Sequence, residues 1–385
     1  MARSKNITLF FEYFQKIHFV KDPFLVPYYL GKMLGYSVNI VYPILTENSD
    51  LPDKYKGVRF IPVELSGTSN SRSKVKYFNA IEFISTHARD IDVLMLFFGG
   101  ERSELFVNCY KNNNPRGKVY IKLDINPYNI ELPFWKLPLS RIKNLVFRKK
   151  FFSNVDVVSC ETTLAYDIIK SGRIPGKNFG DKLVFVPNGI DEEEIREMKL
   201  EKPAFPKKEN VMLTIGRLGT PQKNTDMLLK VIDKLNLRDW KFYMVGPVEQ
   251  SFEPIKDGFM ENHPELSSKV IWTGPINDRF TLYSLLCKSK VFVLTSKWES
   301  FALVFVEAQR FFNYIVSTPV GAASDVVKDK YGQLVPIGDV QKFCETLQGI
   351  IDEKIDTDVY KGFDVEKLSW ENRLRVVADK LKDQV

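Results

Sequence analysis

Val211-Met212-Leu213-Thr214-Ile215-Gly216-Arg217-Leu218 is a short apolar run that halts at a glycine and then presents a cation. Such a run suits a strand buried on both faces. The glycine lets backbone approach a ligand closely at the strand end. Lys223 follows, ahead of a helical pattern that begins near Asn224. A strand, a glycine, two cations and a helix start, in that order, make a site for a diphosphate. Taken alone, Arg217 and Lys223 also read as ordinary surface charges.

The same strand-then-helix unit recurs in both directions. Short apolar runs fall at residues 7–11, 38–41, 93–98, 119–123, 155–159 and 183–186, and again at 211–215, 242–245, 270–273, 291–294 and 334–335. Helical patterns lie between many of them, for example at 227–235 and 303–311. This alternation predicts parallel sheets covered by helices on both faces. It pauses once, after Pro187-Asn188-Gly189, in a charged stretch from 191 to 210 that contains Pro203 and Pro206. That stretch reads as a linker. The expected fold class is therefore α/β, with two Rossmann-like doubly wound domains and a cleft between them. The domains are expected at 1–189 and 190–368, with 369–385 returning as a helix to the first. Ligands of such sheets bind beyond the carboxyl ends of the strands.

A second constellation follows the run at 291–294: Thr295-Ser296-Lys297-Trp298-Glu299-Ser300-Phe301-Ala302-Leu303 and then a helix carrying Glu307. Ser300 is the expected N-cap, which would leave the amides of Phe301, Ala302 and Leu303 as free donors for an anion. Glu299 before the helix and Glu307 about one turn inside it can each accept hydrogen bonds from sugar hydroxyls. A capping acid and a solvated helix acid are the plainer alternative.

Composition narrows the classes. The 385 residues are 44% hydrophobic and 27% charged, which suits a globular chain of two domains. No run of about 18 apolar residues exists, so no membrane span is expected. The first residues read as a strand, not a signal peptide. The four cysteines form no CxxC pair and the three histidines no metal-ligand spacing, so free thiols and no metal site are expected. Two Asp-x-Asp triplets, at 90–92 and 356–358, fall away from strand carboxyl ends and read as surface. The net charge of +7 favours anionic partners. Residues 134–152 hold Trp135, Phe147, Phe151 and Phe152 among Lys136, Arg141, Lys143, Arg148, Lys149 and Lys150, with no acid. Two readings stand open: a helix on an anionic membrane surface, or a domain helix with an apolar core face.

The stretch 299–307 resembles the Glu-x7-Glu motif of retaining family-4 glycosyltransferases, which have the GT-B fold. Other pieces lie in the family's order around it: Pro187-Asn188-Gly189-Ile190-Asp191, Gly216-Arg217-Leu218 with Lys223, Met244-Val245-Gly246-Pro247 and Thr273-Gly274-Pro275-Ile276. Ser317-Thr318-Pro319-Val320-Gly321-Ala322 and Ser369-Trp370-Glu371 follow. The resemblance covers residues 185–375. It implies that Arg217 and Lys223 neutralise a donor diphosphate and that Glu299 holds the transferred sugar. It further implies that the amides near Ala302 and Leu303 meet the distal phosphate, that Glu307 binds the ribose, and that Gly274, Pro275 and Ile276 flank the base. The first half departs from the family pattern. The usual glycine pair is replaced by His18-Phe19-Val20-Lys21-Asp22-Pro23, and the usual histidine after a middle strand by Asp124. Asp124 is open to three roles: a donor-sugar contact, an acceptor contact or a turn cap.

The resemblance implies transfer of a hexose-type sugar from a nucleoside diphosphate sugar to a hydroxyl, with retention and without a metal or other cofactor. The setting it implies is surface polysaccharide or lipid-linked oligosaccharide synthesis, in the cytoplasm or at the inner face of the cytoplasmic membrane. The expected partners are the donor and a glycan or lipid-linked glycan acceptor, with no nucleic acid. A nucleotide-sugar epimerase of the same fold would need acid/base residues that cannot be placed. A silent partner subunit would not need Arg217, Lys223, Glu299 and Glu307 together.

Overall fold

Two sheets organise the chain. The structure, a computed structural model, describes residues 3–64, 78–98, 101–126, 151–171, 179–200, 204–328 and 330–382. The segment 134–152 therefore lies outside the described residues, apart from its last two phenylalanines. The chain divides into two compact units, Met1–Asp191 with Ser369–Val385, and Glu192–Leu368.

The first unit holds strands β1 (Asn6–Phe10), β2 (Ser37–Pro43), β3 (Lys54–Tyr55), β4 (Val58–Val63), β5 (Val93–Phe97), β6 (Lys118–Leu123), β7 (Val157–Cys160) and β8 (Leu183–Phe185). Their order is β3-β4-β2-β1-β5-β6-β7-β8. All neighbours are parallel except the β3–β4 hairpin. Helices α1 (Asp22–Leu34), α2 (Phe78–His87), α3 (Glu101–Asn113) and α4 (Thr163–Lys170) follow strands. Local chemistry sets the ends of α1. Asp22-Pro23 opens it, and Gly35, at φ 68°, closes it in the left-handed conformation. Side chains alternate between two cores: Ile7, Leu9, Val93, Met95 and Tyr120 enter one, and Leu94, Leu96, Val119 and Ile121 the other.

The second unit holds α5 (Glu192–Glu197), β9 (Glu209–Ile215), α6 (Thr225–Ile232), β10 (Lys241–Val245), α7 (Glu253–Asn262), β11 (Val270–Gly274) and α8 (Arg279–Lys288). It continues with β12 (Ser289–Leu294), α9 (Val304–Arg310), β13 (Tyr314–Ser317), α10 (Ala323–Val327), β14 (Gly332–Leu334) and α11 (Val340–Ile351). The order β11-β10-β9-β12-β13-β14 is parallel throughout. The chain runs from β9 outward to β10 and β11, then returns to the other side of β9 as β12. The switch point of the sheet is therefore between β9 and β12.

The last helix, α12 (Trp370–Leu381), belongs to the first unit. Ser369 caps it by accepting from the Asn372 amide. Trp370, Leu374, Val377 and Leu381 enter the same core as Phe24 and Tyr29 of α1. Ile190 and Ser369 pair as a parallel bridge.

The stretch 191–210, expected to be a linker, contains the helix α5. Its three acids fill the first turn, where the helix end favours negative charge. Ile195 is buried, and Glu192 is ion-paired to Arg310 at 2.5 Å. The charge run concealed a helix anchored by an acid as well as by one apolar side chain.

Candidate active site

The loops after β9 and β12 meet at the switch point of the second unit. Lys297 N–H donates to the Gln222 carbonyl at 2.8 Å, and Thr295 Oγ1 donates to the Lys223 carbonyl at 3.0 Å. Asn224 Nδ2 donates to the Thr295 carbonyl at 3.3 Å. These bonds fix two expected site residues against each other. Lys223 Nζ lies 2.6 Å from Glu299 Oε1, which also accepts from Ser296 Oγ at 2.7 Å. Gln222 Nε2 donates to Glu299 Oε2 at 3.1 Å. Glu299 is only 7% exposed, so the partners offset the cost of burying its charge. Arg217 differs. It is exposed at the end of β9, and no carboxylate among the described residues pairs with it.

Glycines let the loops close. Gly246, at φ 133°, lies over the Gly216 carbonyl, where a Cβ has no room. Its N–H donates to the Gly274 carbonyl at 2.9 Å, so the ends of β9, β10 and β11 are tied together. Gly216 itself lies under the Lys223 stem, since a Cβ there would be 3.0 Å from Cε. Gly274 ends β11 at φ 65° and is followed by exposed Pro275 and half-buried Ile276. Gly321, at φ 54°, supports the loop after β12. A Cβ there would lie 2.6 Å from the Phe301 carbonyl and 3.0 Å from the Glu299 side chain.

The helix start differs from expectation. Ser300 is not the N-cap. Helix α9 begins at Val304, with Leu303 in the cap position and no side-chain cap. The reason is backbone conformation: Ala302 has φ 69°, which turns the chain between Ser300 and the helix. Buried Phe301 anchors this turn, and its carbonyl accepts from the Ala322 amide at 3.0 Å. No backbone oxygen among the described residues accepts from the amides of Phe301, Ala302 and Leu303.

Glu307 lies in the first turn of α9 and is half-buried. Tyr283 of α8 donates to its Oε1 at 3.4 Å, and an Arg279 nitrogen lies 3.8 Å from the same oxygen. Arg279, Tyr283, Gln222 and Ser296 are site residues that the sequence reading did not single out. Arg279 and Tyr283 sit one helical turn apart just after Ile276, and Asp278, which caps α8, was the readable signal of a helix start there.

Asp124 belongs to the first unit, half-buried just past β6. Beside it, the strand buries Lys122. Its Nζ lies 2.7 Å from both Asp22 Oδ2 and Glu161 Oε2. Asn188 Nδ2 also donates to Glu161 Oε2, at 3.0 Å. Burial works against the Lys122 charge, but Asp22, Glu161 and Asp124 outweigh it and hold the amine above the usual lysine value. Burial pushes the Glu161 carboxyl up, against the pull of Lys122. Among the described residues, no group of three or more His, Cys, Asp or Glu is placed to hold a metal ion. No helix among them is long and apolar enough to cross a membrane.

Residues 209–353, which carry the switch-point loops, match the family model described as Glycosyl transferases group 1. That match covers most of the second unit and less than half of the chain. The chain is 28% identical over 170 residues to an uncharacterised 41.2 kDa protein of the cps region of Klebsiella pneumoniae, covering 43% of this chain and 44% of that one. It is 27% identical over 213 residues to the UDP-Gal:alpha-D-GlcNAc-diphosphoundecaprenol alpha-1,3-galactosyltransferase of Escherichia coli, covering 52% and 53%. The chain thus spans about half the length of the curated relatives it matches. Among solved structures it resembles the lipopolysaccharide outer core galactosyltransferase WaaB, with TM-score 0.67, 15% identity and coverage of 98% and 99%. That likeness shows the GT-B fold.

Proposed function

We propose that the chain transfers a hexose from a nucleoside diphosphate sugar to a hydroxyl of a glycan or lipid-linked glycan, with retention. The carrying observation is the switch point: exposed Arg217 and paired Lys223 on one loop, Glu299 on the next, and Glu307 a turn into the helix beyond. Negative charge builds up on the departing diphosphate as the sugar leaves, and Arg217 and Lys223 would stabilise it there. The ammonium of Lys223 has three protons, so its bond to Glu299 leaves donors for phosphate. Glu299, held on both oxygens, would accept from the transferred sugar. Glu307 would accept from the ribose, the amides around Ala302 and Leu303 would meet phosphate, and Gly274, Pro275 and Ile276 would flank the base.

In the step itself, the bond from the anomeric carbon to the phosphate oxygen breaks as the acceptor oxygen bonds that carbon on the same face. The acceptor proton passes to the departing phosphate oxygen. The protein contributes positioning and charge. Asp124 would contact donor sugar or acceptor. The E. coli relative acts with UDP-Gal on a diphosphoundecaprenol-linked sugar, which favours a UDP-hexose donor, a lipid-linked acceptor and work at the inner face of the cytoplasmic membrane. It also favours a role in surface polysaccharide synthesis.

The test is a donor screen that reads released nucleoside diphosphate, beginning with UDP-galactose and UDP-glucose and run with and without EDTA. Release that survives EDTA, with a product whose anomeric configuration matches the donor, is expected. No release from any donor would refute the activity, and EDTA-sensitive release restored by manganese would refute the metal-free part.

A further inference from the structure

We propose that Arg279 is a positioning residue for Glu307: together with Tyr283 it holds the carboxylate in the orientation that meets the ribose, and Glu194 in turn holds Arg279. The proposal rests on the reading of Glu307 as the ribose acceptor.

Arg279 opens α8, three residues after Ile276, and its side chain is 17% exposed. Its Nε is 2.8 Å from Glu194 Oε2 of α5. The other end of the guanidinium lies 3.8 Å from Glu307 Oε1, a charge contact rather than a hydrogen bond. Both are ion-pair contacts, and the guanidinium carbon also lies 4.5 Å from the centre of the Tyr283 ring. Tyr283 is fully buried, so its ring is a fixed platform, and its hydroxyl points at the same Glu307 oxygen. One arginine therefore joins three elements: α5, α8 and α9. Lysine has no planar fork with which to do this.

Glutamate loses side-chain freedom when it grips two hydroxyls, and a carboxylate oriented beforehand loses less. This effect acts on Glu307 alone. A variant of Arg279 should therefore lose recognition of the ribose hydroxyls without losing recognition of the diphosphate.

The experiment is calorimetric binding of UDP and 2′-deoxy-UDP, and of GDP and 2′-deoxy-GDP, to wild type, Arg279→Met, Arg279→Lys and Glu307→Gln. Wild type is expected to prefer one ribonucleotide over its deoxy form. Arg279→Met is expected to narrow that preference by about tenfold, the scale of one charge-assisted hydrogen bond. Arg279→Lys should fall between, and affinity for pyrophosphate should stay within about twofold. A general structural defect would instead weaken ribo and deoxy forms equally and leave the ratio unchanged, which would overturn the proposal. If Arg279→Met fails to fold, Arg279→Lys decides on the same ratio. A preference lost in Glu307→Gln but intact in both Arg279 variants would overturn the positioning role and leave the ribose reading standing. An unchanged preference in Glu307→Gln would overturn the ribose reading, and the positioning role with it.

Discussion

Each unit places a lysine against a glutamate near the carboxyl end of a parallel strand, yet the two clusters differ in physical character. In the first unit Lys122 is 1% exposed and bonds two carboxylates, one of them equally buried. In the second, Lys223 is 18% exposed, shares one carboxylate, and has the exposed Arg217 on the same loop. A sealed charge serves its own partners. An open charge with spare donors can serve a ligand. If the proposed site is right, residue type and strand-end position do not separate structure from function; access does.

The largest expected effect tests the sealed side. Lys122→Ala leaves Asp22 and Glu161 without their cation, and should cost about 3–5 kcal/mol in folding stability. Chemical denaturation measures it. An unchanged midpoint would break the comparison, because it would mean that Lys122 is not structural.

Next comes the open side. Arg217→Ala should lose about 2–4 kcal/mol of transition-state stabilisation in kcat/KM with the donor. Its denaturation midpoint should match wild type, since Arg217 is exposed. Full turnover by this variant would mean that an open charge at the switch point is only a surface charge.

A third measurement sharpens the boundary between the two kinds of cluster. Lys223 and Glu299 touch, so their losses should not add. A cycle of Lys223→Ala, Glu299→Ala and the double variant should give a coupling of about 0.5–3 kcal/mol in kcat/KM. Additive losses would mean that each acts on the donor alone.

The smallest effect concerns Lys208, a buried lysine with carbonyls in place of acids. Its Nζ donates to the carbonyls of Ser289 and Phe311 at 2.6 and 2.7 Å. Burial pulls its pKa down to about 7. The unfolded chain keeps that proton up to about pH 10.4, so it binds more protons than the folded chain between the two values. Stability should therefore rise with pH across that window, by at most about 1.4 kcal/mol per pH unit, and level off below it. Denaturation of wild type and Lys208→Met at pH 7, 8 and 9 isolates the slope. Parallel curves would mean that the carbonyls keep Lys208 charged, as the acids keep Lys122.

The alternation of runs made the α/β class legible, because a strand buried on both faces is apolar throughout. The strand β4 was not readable this way: Val58–Val63 carries Arg59 and Pro62, which its exposed positions tolerate. Nor was β13 (Tyr314–Ser317), whose start is blurred by the apolar Phe311-Phe312 that follow helix α9. Glycines and acids marked the loops of the site, since strand ends and helix starts need those residue types locally. What joins the loops was hidden. Arg279 meets Glu194 and Glu307 across long stretches of chain, and Lys122 looks like a surface lysine until the fold brings Asp22 and Glu161 to it. Ser300 misled because no local pattern announces the left-handed turn at Ala302.

The bridge between Ile190 and Ser369 bears on the order of synthesis. Domains commonly fold from the N-terminus as the ribosome delivers them. Here the first unit is interrupted at Asp191 and resumes only at Ser369. Its core then still lacks Trp370, which is fully buried and against which Gly189 packs so closely that a Cβ would lie 2.9 Å from the ring. The whole sequence of the inserted unit is translated before that tryptophan is. Of the two units, the one whose translation starts earlier therefore finishes later, because the core that α1 shares with α12 is complete only once α12 has been made.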